Sequence, residues 1–526
     1  MKKFLIIICW IITPTLVFSQ NSFTFNHSWH NDFQKEFHAI DSSHHTSIKA
    51  HFNLDQNVNS SIQPFSFKSP LLNRMLNSNA LRLETDDFDL IINPLFHFET
   101  GNSDSASRYI NTRAFEVKGR VGTKISFYSS FYENQAVFPD YLEDAIVNNY
   151  FVVPGQGYSK WGNHDINPDF DFAMSNGLLS YQADKYFNFQ FGHGKNFIGD
   201  GYRSLLLSDN SFNYPFFKIT TNFWKVKYVN IFSVLQDLRP EYEIENTFRK
   251  KYSTTHYLSI NITKKWNLGL FETIIWEQSE TGRGFDINYL NPVIFYRPVE
   301  FSLGSASGNA LIGLNTKYKL NNSAHLYGQL LLDEFRFSEL KAANGWWANK
   351  YSYQLGAKWF DALGVKNLTL QSEYNFSRPF TYSHLNPLQS YTHYNQALAH
   401  PLGASFMESV SFLRYRYKRW AIDSKIIFAK HGGNIPGDPT NYGNDILTSY
   451  AEGDRLEYGN EVAQGNTTNL SIVDLRLAYI LNPTTNMKIE IGISKRESKS
   501  LYLPESKTNY LFLSFKTDIN NYYYDF

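Results

Sequence analysis

The feature that most constrains this chain is an alternation of apolar and polar residues, repeated from about residue 82 to residue 526. In residues 186–192, for example, Phe187, Phe189 and Phe191 share one face, whereas Asn188 and Gln190 share the other. Short turns join the segments into pairs, and long aromatic-rich loops join one pair to the next. This pattern is typical of a transmembrane β-barrel in a bacterial outer membrane.

The alternation predicts an all-β fold, an 18-stranded antiparallel up-and-down transmembrane barrel. Long loops are expected outside the cell, and tight turns and both termini on the periplasmic side. Long connections are predicted at 99–112 and 495–507, among others. The predicted strands are 83–98, 113–121, 124–134, 171–181, 186–193, 216–222, 225–235, 256–263, 266–277, 310–320, 325–337, 350–360, 368–377, 408–417, 420–430, 469–480, 487–494 and 508–519.

The N-terminus has the form of an export signal. Lys2 and Lys3 precede an apolar stretch at 4–12, and cleavage is predicted after Ser19. That stretch is too short to span a bilayer, so a cleaved signal peptide at 1–19 is favoured over an anchor. Residues 20–81 alternate weakly and form a predicted periplasmic or lumen-plugging segment with short helices at 32–38 and 69–81. The barrel itself is assigned to 82–526.

Composition excludes several classes of protein. No later segment is apolar for about 18 residues, so spanning helices are not expected. Basic and acidic residues number 49 each, which gives no indication of nucleic-acid binding. The lone cysteine, Cys9, lies in the signal, and the histidines lack zinc-ligand spacing. No metal or other cofactor is therefore predicted.

Charged residues share single faces of the later strands. Arg414, Arg416 and Lys418 lie on one face, and Asp474 lies on the same face as Arg476. A charge on the lipid face costs roughly 2–4 kcal/mol at mid-bilayer, so these faces should line the lumen. Both signs occur, which favours a structural lattice of ion pairs over an ion-selective conducting lining.

A dense segment at 192–210 (GHGKNFIGDGYRSLLLSDN) contains several glycines. It is not a phosphate-binding loop, because Gly194-Lys195 is followed by Asn196. The glycines favour a tight loop folded against the barrel wall. Ser204 and Ser208 are exposed candidates for a lipase or acyltransferase nucleophile. No oriented histidine or acidic partner is evident, so the interpretation is that the protein is not an enzyme.

Several blocks of the chain resemble the Wzi-type capsule assembly family. In form they are most like its Bacteroidetes branch, which includes the gliding-motility protein RemB. The resemblance spans roughly 85–430 and continues more weakly to the end. The blocks are 197–210 (FIGDGYRSLLLSDN), 289–300 (YLNPVIFYRPVE), 331–335 (LLDEF), 345–350 (GWWANK) and 400–404 (HPLGA).

The resemblance implies an 18-stranded outer-membrane barrel with a helical periplasmic region. It also implies a lectin-like role, in which extracellular loops hold capsular or other surface polysaccharide. In the gliding branch it implies a cell-surface motility component with motility proteins as partners. The last strand, at 510–515, and Phe526 resemble the aromatic ending that barrel-assembly machinery recognises.

Side-chain chemistry makes polysaccharide binding plausible, since aromatic rings stack on sugar faces and arginine can chelate a carboxylate. For tryptophan and tyrosine the alternative is anchoring at the membrane interface. For Arg297 it is an internal salt bridge with Glu300. An alternative function is that of a channel for solutes or exported polymer. The candidate polysaccharide-binding residues are Arg203, Asp209, Asn210, Arg283, Tyr296, Arg297, Trp346 and Trp347.

Overall fold

The computed structural model describes residues 25–49, 62–104, 106–161, 169–277, 284–292, 295–296, 298–299, 308–517 and 520–526, without the side chains of 28–33 and 161. The predicted signal peptide, 1–19, lies outside these residues. Eighteen antiparallel strands close into one barrel, in which the last strand pairs with the first. The strands are Phe88–Ser103 (β1), Ala106–Val121 (β2), Ile125–Val137 (β3), Phe170–Gln182 (β4), Phe187–Gly194 (β5), Tyr214–Phe223 (β6), Val226–Asp237 (β7), Arg249–Asn261 (β8), Trp266–Glu277 (β9), Asn309–Lys319 (β10), Ala324–Leu332 (β11), Tyr351–Phe360 (β12), Leu368–Ser377 (β13), Phe406–Tyr417 (β14), Trp420–His431 (β15), Thr468–Asn482 (β16), Met487–Ser500 (β17) and Ser506–Thr517 (β18).

The two faces of the wall differ as the period of two requires. Leu475, Ile491 and Leu513 point outward and are about half exposed, at 48%, 50% and 53%. Inside, Arg476 pairs with Asp474 at 2.6 Å and Arg416 pairs with Asp423 at 3.0 Å. The predicted barrel and its lumenal ion-pair lattice are confirmed. Lys418 is an exception, because it lies exposed in the turn between β14 and β15.

Two connections that were predicted to be long are short. β1 ends at Ser103 and β2 begins at Ala106, so the loop predicted at 99–112 is instead a tight turn. Likewise, β17 continues to Ser500 and β18 starts at Ser506. Strand pairing continues through polar residues here, because backbone hydrogen bonds hold the ladder wherever both strands are present. A prediction based on apolar alternation therefore misses these polar strand ends.

Few helices accompany the barrel. Helix α2 begins after Ser69, whose side chain accepts a hydrogen bond from the Leu72 main-chain N–H at 3.4 Å, with Pro70 in the first turn. None of the helices in the described part of the chain has the length and apolar run needed to span a membrane. The helices are His27–His38 (α1), Pro70–Asn77 (α2), Asp140–Asn148 (α3) and Phe337–Ala342 (α4), and the 3-10 turns are Pro240–Tyr242, Ile287–Leu290, Ala362–Gly364 and Pro387–Gln389.

Segments from four parts of the chain fill much of the lumen, and we call them together the lumenal plug. They are residues 25–49, 195–213, 378–405 and 520–526. A short sheet joins the first two, with Ile48 opposite Ile198. Leu206, Tyr382 and Tyr391 are almost completely buried in the apolar core that the plug forms with the wall. The barrel is therefore packed inside as well as closed.

Candidate functional site

Arg203 lies in the centre of the plug and is 1% exposed. Its guanidinium donates to Glu408 of β14 at 2.9 Å and to Asp525 at 2.9 Å. Burial alone would lower the pKa of Arg203, but the carboxylates of Asp525 and Glu408 outweigh burial and raise it well above its usual value. One charge thus ties the loop 195–213 to the wall and to the segment 520–526.

Glycine lets the chain reach this position. A Cβ atom on Gly201 would lie 2.7 Å from the Glu373 carboxylate and 2.9 Å from the Arg203 carbonyl oxygen. With only hydrogen there, the main-chain N–H groups of Tyr202 and Arg203 donate to Glu373 at 2.8 and 3.0 Å. The glycine-rich segment thus folds tightly, as predicted, although against the inside of the wall.

Asp209 and Asn210 are also buried in the plug. Asp209 accepts hydrogen bonds from the Tyr523 hydroxyl at 2.6 Å and from the Asn521 amide at 2.7 Å. Burial raises the pKa of Asp209. Asn210 donates to the Ala397 carbonyl oxygen at 3.1 Å. Both side chains connect segments of the plug to one another.

The predicted exposure of Ser204 and Ser208 is wrong. Ser204 is fully buried and donates to the Ile198 carbonyl oxygen at 2.5 Å, and Ser208 is 3% exposed. The reason is the intervening leucines, 205–207, which turn the loop inward to bury their side chains. Neither hydroxyl is presented to a lipid or ester substrate.

Tyr296 lies on the outside of the barrel wall. His256 of β8 and Glu272 of β9 face outward, opposite Tyr257, whose hydroxyl donates to Ser47 inside the lumen at 2.8 Å. The Tyr296 hydroxyl is 2.7 Å from His256 Nε2, and its main-chain N–H donates to Glu272. The loop after β9 therefore folds back over the wall. Arg283 and Arg297 lie outside the described residues.

Trp346 and Trp347 lie in the connection between β11 and β12 and are half-buried. The indole N–H of Trp346 donates to Glu457 at 2.7 Å, and the Arg336 guanidinium lies 4.6 Å from its ring. Trp347 contacts the Arg455 guanidinium at 3.5 Å. These rings lie at the end of the barrel that carries most of the long connections, which is the extracellular end.

We call this group the outer-rim cluster; its members are Arg336, Trp346, Trp347, Tyr450, Arg455 and Glu457. Tyr450 completes it, with its ring 4.9 Å from that of Trp347. Sequence reasoning missed the four members other than the tryptophans. The three at 450–457 lie in a long connection without a motif, and only their charge and aromaticity mark them.

Buried charge lies directly beneath the cluster. Lys350 is buried 3.0 Å from Glu334 and 3.7 Å from Asp333, and 4.7 Å from the Tyr450 ring. Burial raises the pKa of Asp333 to about 6 in spite of the lysine. Beside the cluster, Phe337 of α4 is 69% exposed, so the rim offers apolar rings next to charged side chains.

A closed barrel of 18 strands with an apolar exterior and paired charges inside defines an outer-membrane β-barrel protein. No protein family matches the sequence, and no curated protein matches it either. Membership of the family that the motif blocks resemble is therefore not shown by comparison of sequences.

Solved barrels share the general form. Wzi of Escherichia coli, described as an outer-membrane protein involved in group 1 capsule assembly and a carbohydrate-binding β-barrel, is 11% identical, with a TM-score of 0.49 over 81% of this chain and 85% of Wzi. OprD of Pseudomonas aeruginosa is 10% identical, with a TM-score of 0.42 over 83% and 96%. OpdK of the same organism, solved with vanillate, is 8% identical, with a TM-score of 0.43 over 83% and 99%. Likeness this distant carries no functional information.

Proposed function

We propose that this outer-membrane barrel is not an enzyme and that it binds or organises surface polysaccharide through its extracellular loops. The observation that supports the proposal is the outer-rim cluster. Two half-buried tryptophans lie there beside two guanidinium groups and one carboxylate. Flat rings can pack on the apolar face of a sugar, and arginine can chelate an acidic group.

In this proposal, Trp346 and Trp347 are the residues that contact the polysaccharide. Arg203, Asp209, Asn210 and Tyr296 are buried and engaged with the chain itself. A polymer too large to enter the barrel reaches the rim without displacing any packed segment. The rim is therefore the part of the predicted site that fits a surface polysaccharide.

Direct binding tests the proposal. Purified protein is immobilised, and native surface polysaccharide from the same cells is titrated over it. Trp346→Ala with Trp347→Ala should weaken binding about tenfold or more, because truncating an anchoring tryptophan costs on the order of 2 kcal/mol. The matched control is Trp224→Ala, which removes a ring that is 82% exposed in the turn at the opposite end.

Two outcomes count against it. Unchanged binding by the double variant would remove both tryptophans from the site. Absence of binding by the native protein would end the polysaccharide proposal itself.

Capsule assembly and gliding motility are the two settings that the family resemblance implies, and the proposal covers both. Deleting the gene separates them. Loss of cell-attached capsule would indicate the first setting. Loss of gliding with the capsule retained would indicate the second and would point to motility proteins as partners.

A further inference from the structure

A cavity of about 300 Å³ remains inside the lumen, between residues 520–526 and the wall formed by β14–β18 and β1–β3. Its lining includes Lys516 and Thr517 at the periplasmic end of β18 and Tyr141 of α3 towards the outer end. This volume lies at the lower limit of pockets that hold small molecules, roughly 300 Å³. The cavity is separate from the outer-rim cluster.

Most of the charges that line the cavity are paired with a side chain of opposite sign, and the remaining guanidinium, that of Arg496, donates to the Phe526 main-chain oxygen at 3.0 Å. Asp474 lies 2.6 Å from Arg476, and Glu490 lies 2.8 Å from Lys516. Asp525 lies 2.7 Å from Lys425. Because each of these carboxylates already has a cation beside it, a charged ligand would have to compete with an existing pair. Each pair also presents a hydrogen-bond acceptor beside a donor, which suits hydroxyl groups, since a hydroxyl both donates and accepts.

Aromatic rings lie among these pairs and supply flat apolar surface. Phe412 packs under the Arg414 guanidinium at 4.1 Å, and Phe512 lies 5.4 Å from that of Arg476. Tyr132 lines the cavity and is 4% exposed, and its hydroxyl lies beside other hydroxyl groups of the same strand, β3. A tyrosine hydroxyl both donates and accepts, so a bound hydroxyl group can form a hydrogen bond with it.

We propose that the cavity binds a neutral polyol the size of a monosaccharide. Its hydroxyl groups would bond to the carboxylate–cation pairs and to Tyr132, and its C–H face would pack on the aromatic rings. Access is expected from the periplasmic end, where Lys516 and Thr517 form part of the wall. This site does not depend on polysaccharide binding at the rim.

Saturation-transfer NMR tests the proposal on the full-length protein, in a detergent without a sugar headgroup. Glucose, galactose, galacturonate and glucosamine are the probes. The neutral hexoses should show transfer and bind at least several-fold more tightly than the two charged sugars. Ser494→Trp, which fills the cavity from the inner face of β17, should weaken hexose binding at least tenfold, and Tyr132→Phe should weaken it several-fold.

Two controls accompany these variants. Lys495→Trp places the same ring on the outward face of β17 and should leave hexose binding intact. Replacing both rim tryptophans by alanine should also leave it unchanged, which separates this site from the proposed function. Folding of each variant is checked by the heat-sensitive gel migration of a closed barrel, and Ser494→Leu replaces Ser494→Trp if the larger side chain prevents closure.

The proposal is overturned if neither hexose binds, if a folded cavity-filling variant binds hexose as the native protein does, or if a charged sugar binds best.

Discussion

Arg203 shows how one side chain can organise the interior of a barrel. In the sequence it was a candidate polysaccharide-binding residue, because arginine can bind the hydroxyl and carboxylate groups of sugars. In the structure it joins Glu408 of the wall to Asp525, and both carboxylates are buried. Its guanidinium is therefore engaged by carboxylates of the protein's own chain.

Replacing this residue should destabilise the whole barrel. Arg203→Met leaves two buried carboxylates without their cation, and breaking a buried pair costs about 3–5 kcal/mol. Urea unfolding in lipid vesicles, followed by gel migration, measures the change in the free energy of unfolding. Arg203→Lys keeps the positive charge but cannot form the bidentate hydrogen bonds of a guanidinium. Its free energy of unfolding should lie between those of the native protein and Arg203→Met. Arg336→Met, at the exposed rim, should change the free energy little; an equal loss in both methionine variants would refute this role for Arg203.

At the scale of elements, the segment 25–49 packs inside the barrel against buried histidine and lysine side chains. Lys319 donates to the carbonyl oxygens of Ala39 and Ser42 at 2.7 and 2.8 Å. The ring of His38 stacks on that of His325 at 4.0 Å. The cations Lys49, Lys317 and Lys358 surround the two rings, and Asp200 is the acid acting on His325. A further positive charge would be poorly tolerated here.

Acid should therefore loosen this segment. Burial, then His325 and the nearby lysines, holds the pKa of His38 well below 6.5. Burial and nearby lysines lower the pKa of His45 to about 3. The docked state excludes protons that the released segment takes up, so docking is strongest above pH 6.5 and weakens as pH falls below it. Protection factors of residues 25–49, which are the intrinsic amide exchange rate divided by the observed rate at each pH, should fall from pH 7.5 to pH 5.

The control is His38→Phe, which keeps a stacking ring without a titrating nitrogen. Its protection factors should depend less on pH than those of the native protein. Protection factors that are equally pH-dependent in both proteins would exclude His38 as a cause.

At the scale of the whole molecule, the lumenal plug occupies the space through which solutes or ions would pass. An empty barrel of 16 to 18 strands leaves an aqueous channel. Here residues 25–49, 195–213, 378–405 and 520–526 pack inside it, and a cavity of about 300 Å³ remains. The alternative role as a channel would require part of the plug to move.

Planar-bilayer recordings test this directly. The native protein should give no large, steady current, whereas a variant without residues 25–49 should give open-channel events. A variant without residues 62–78 is the matched control and should resemble the native protein, because α2 packs on the end of β16 and buries none of its own residues. Large steady currents through the native protein would favour the channel function.

The sequence by itself determined the wall of this barrel. The strand number and the faces of residues such as Asp474 and Leu475 follow from a period of two, because each side chain meets either lipid or lumen whatever its distant neighbours are. The helix start at Ser69 and Pro70 also follows from local sequence.

Only the tertiary structure decided which segments fill the lumen inside that wall. The contact of Arg203 with Asp525 joins residues 322 positions apart, and Tyr296 packs on the outward face of β8. Such pairings depend on which loops fold inward or back over the wall, and that depends on packing among distant segments, which periodicity does not encode.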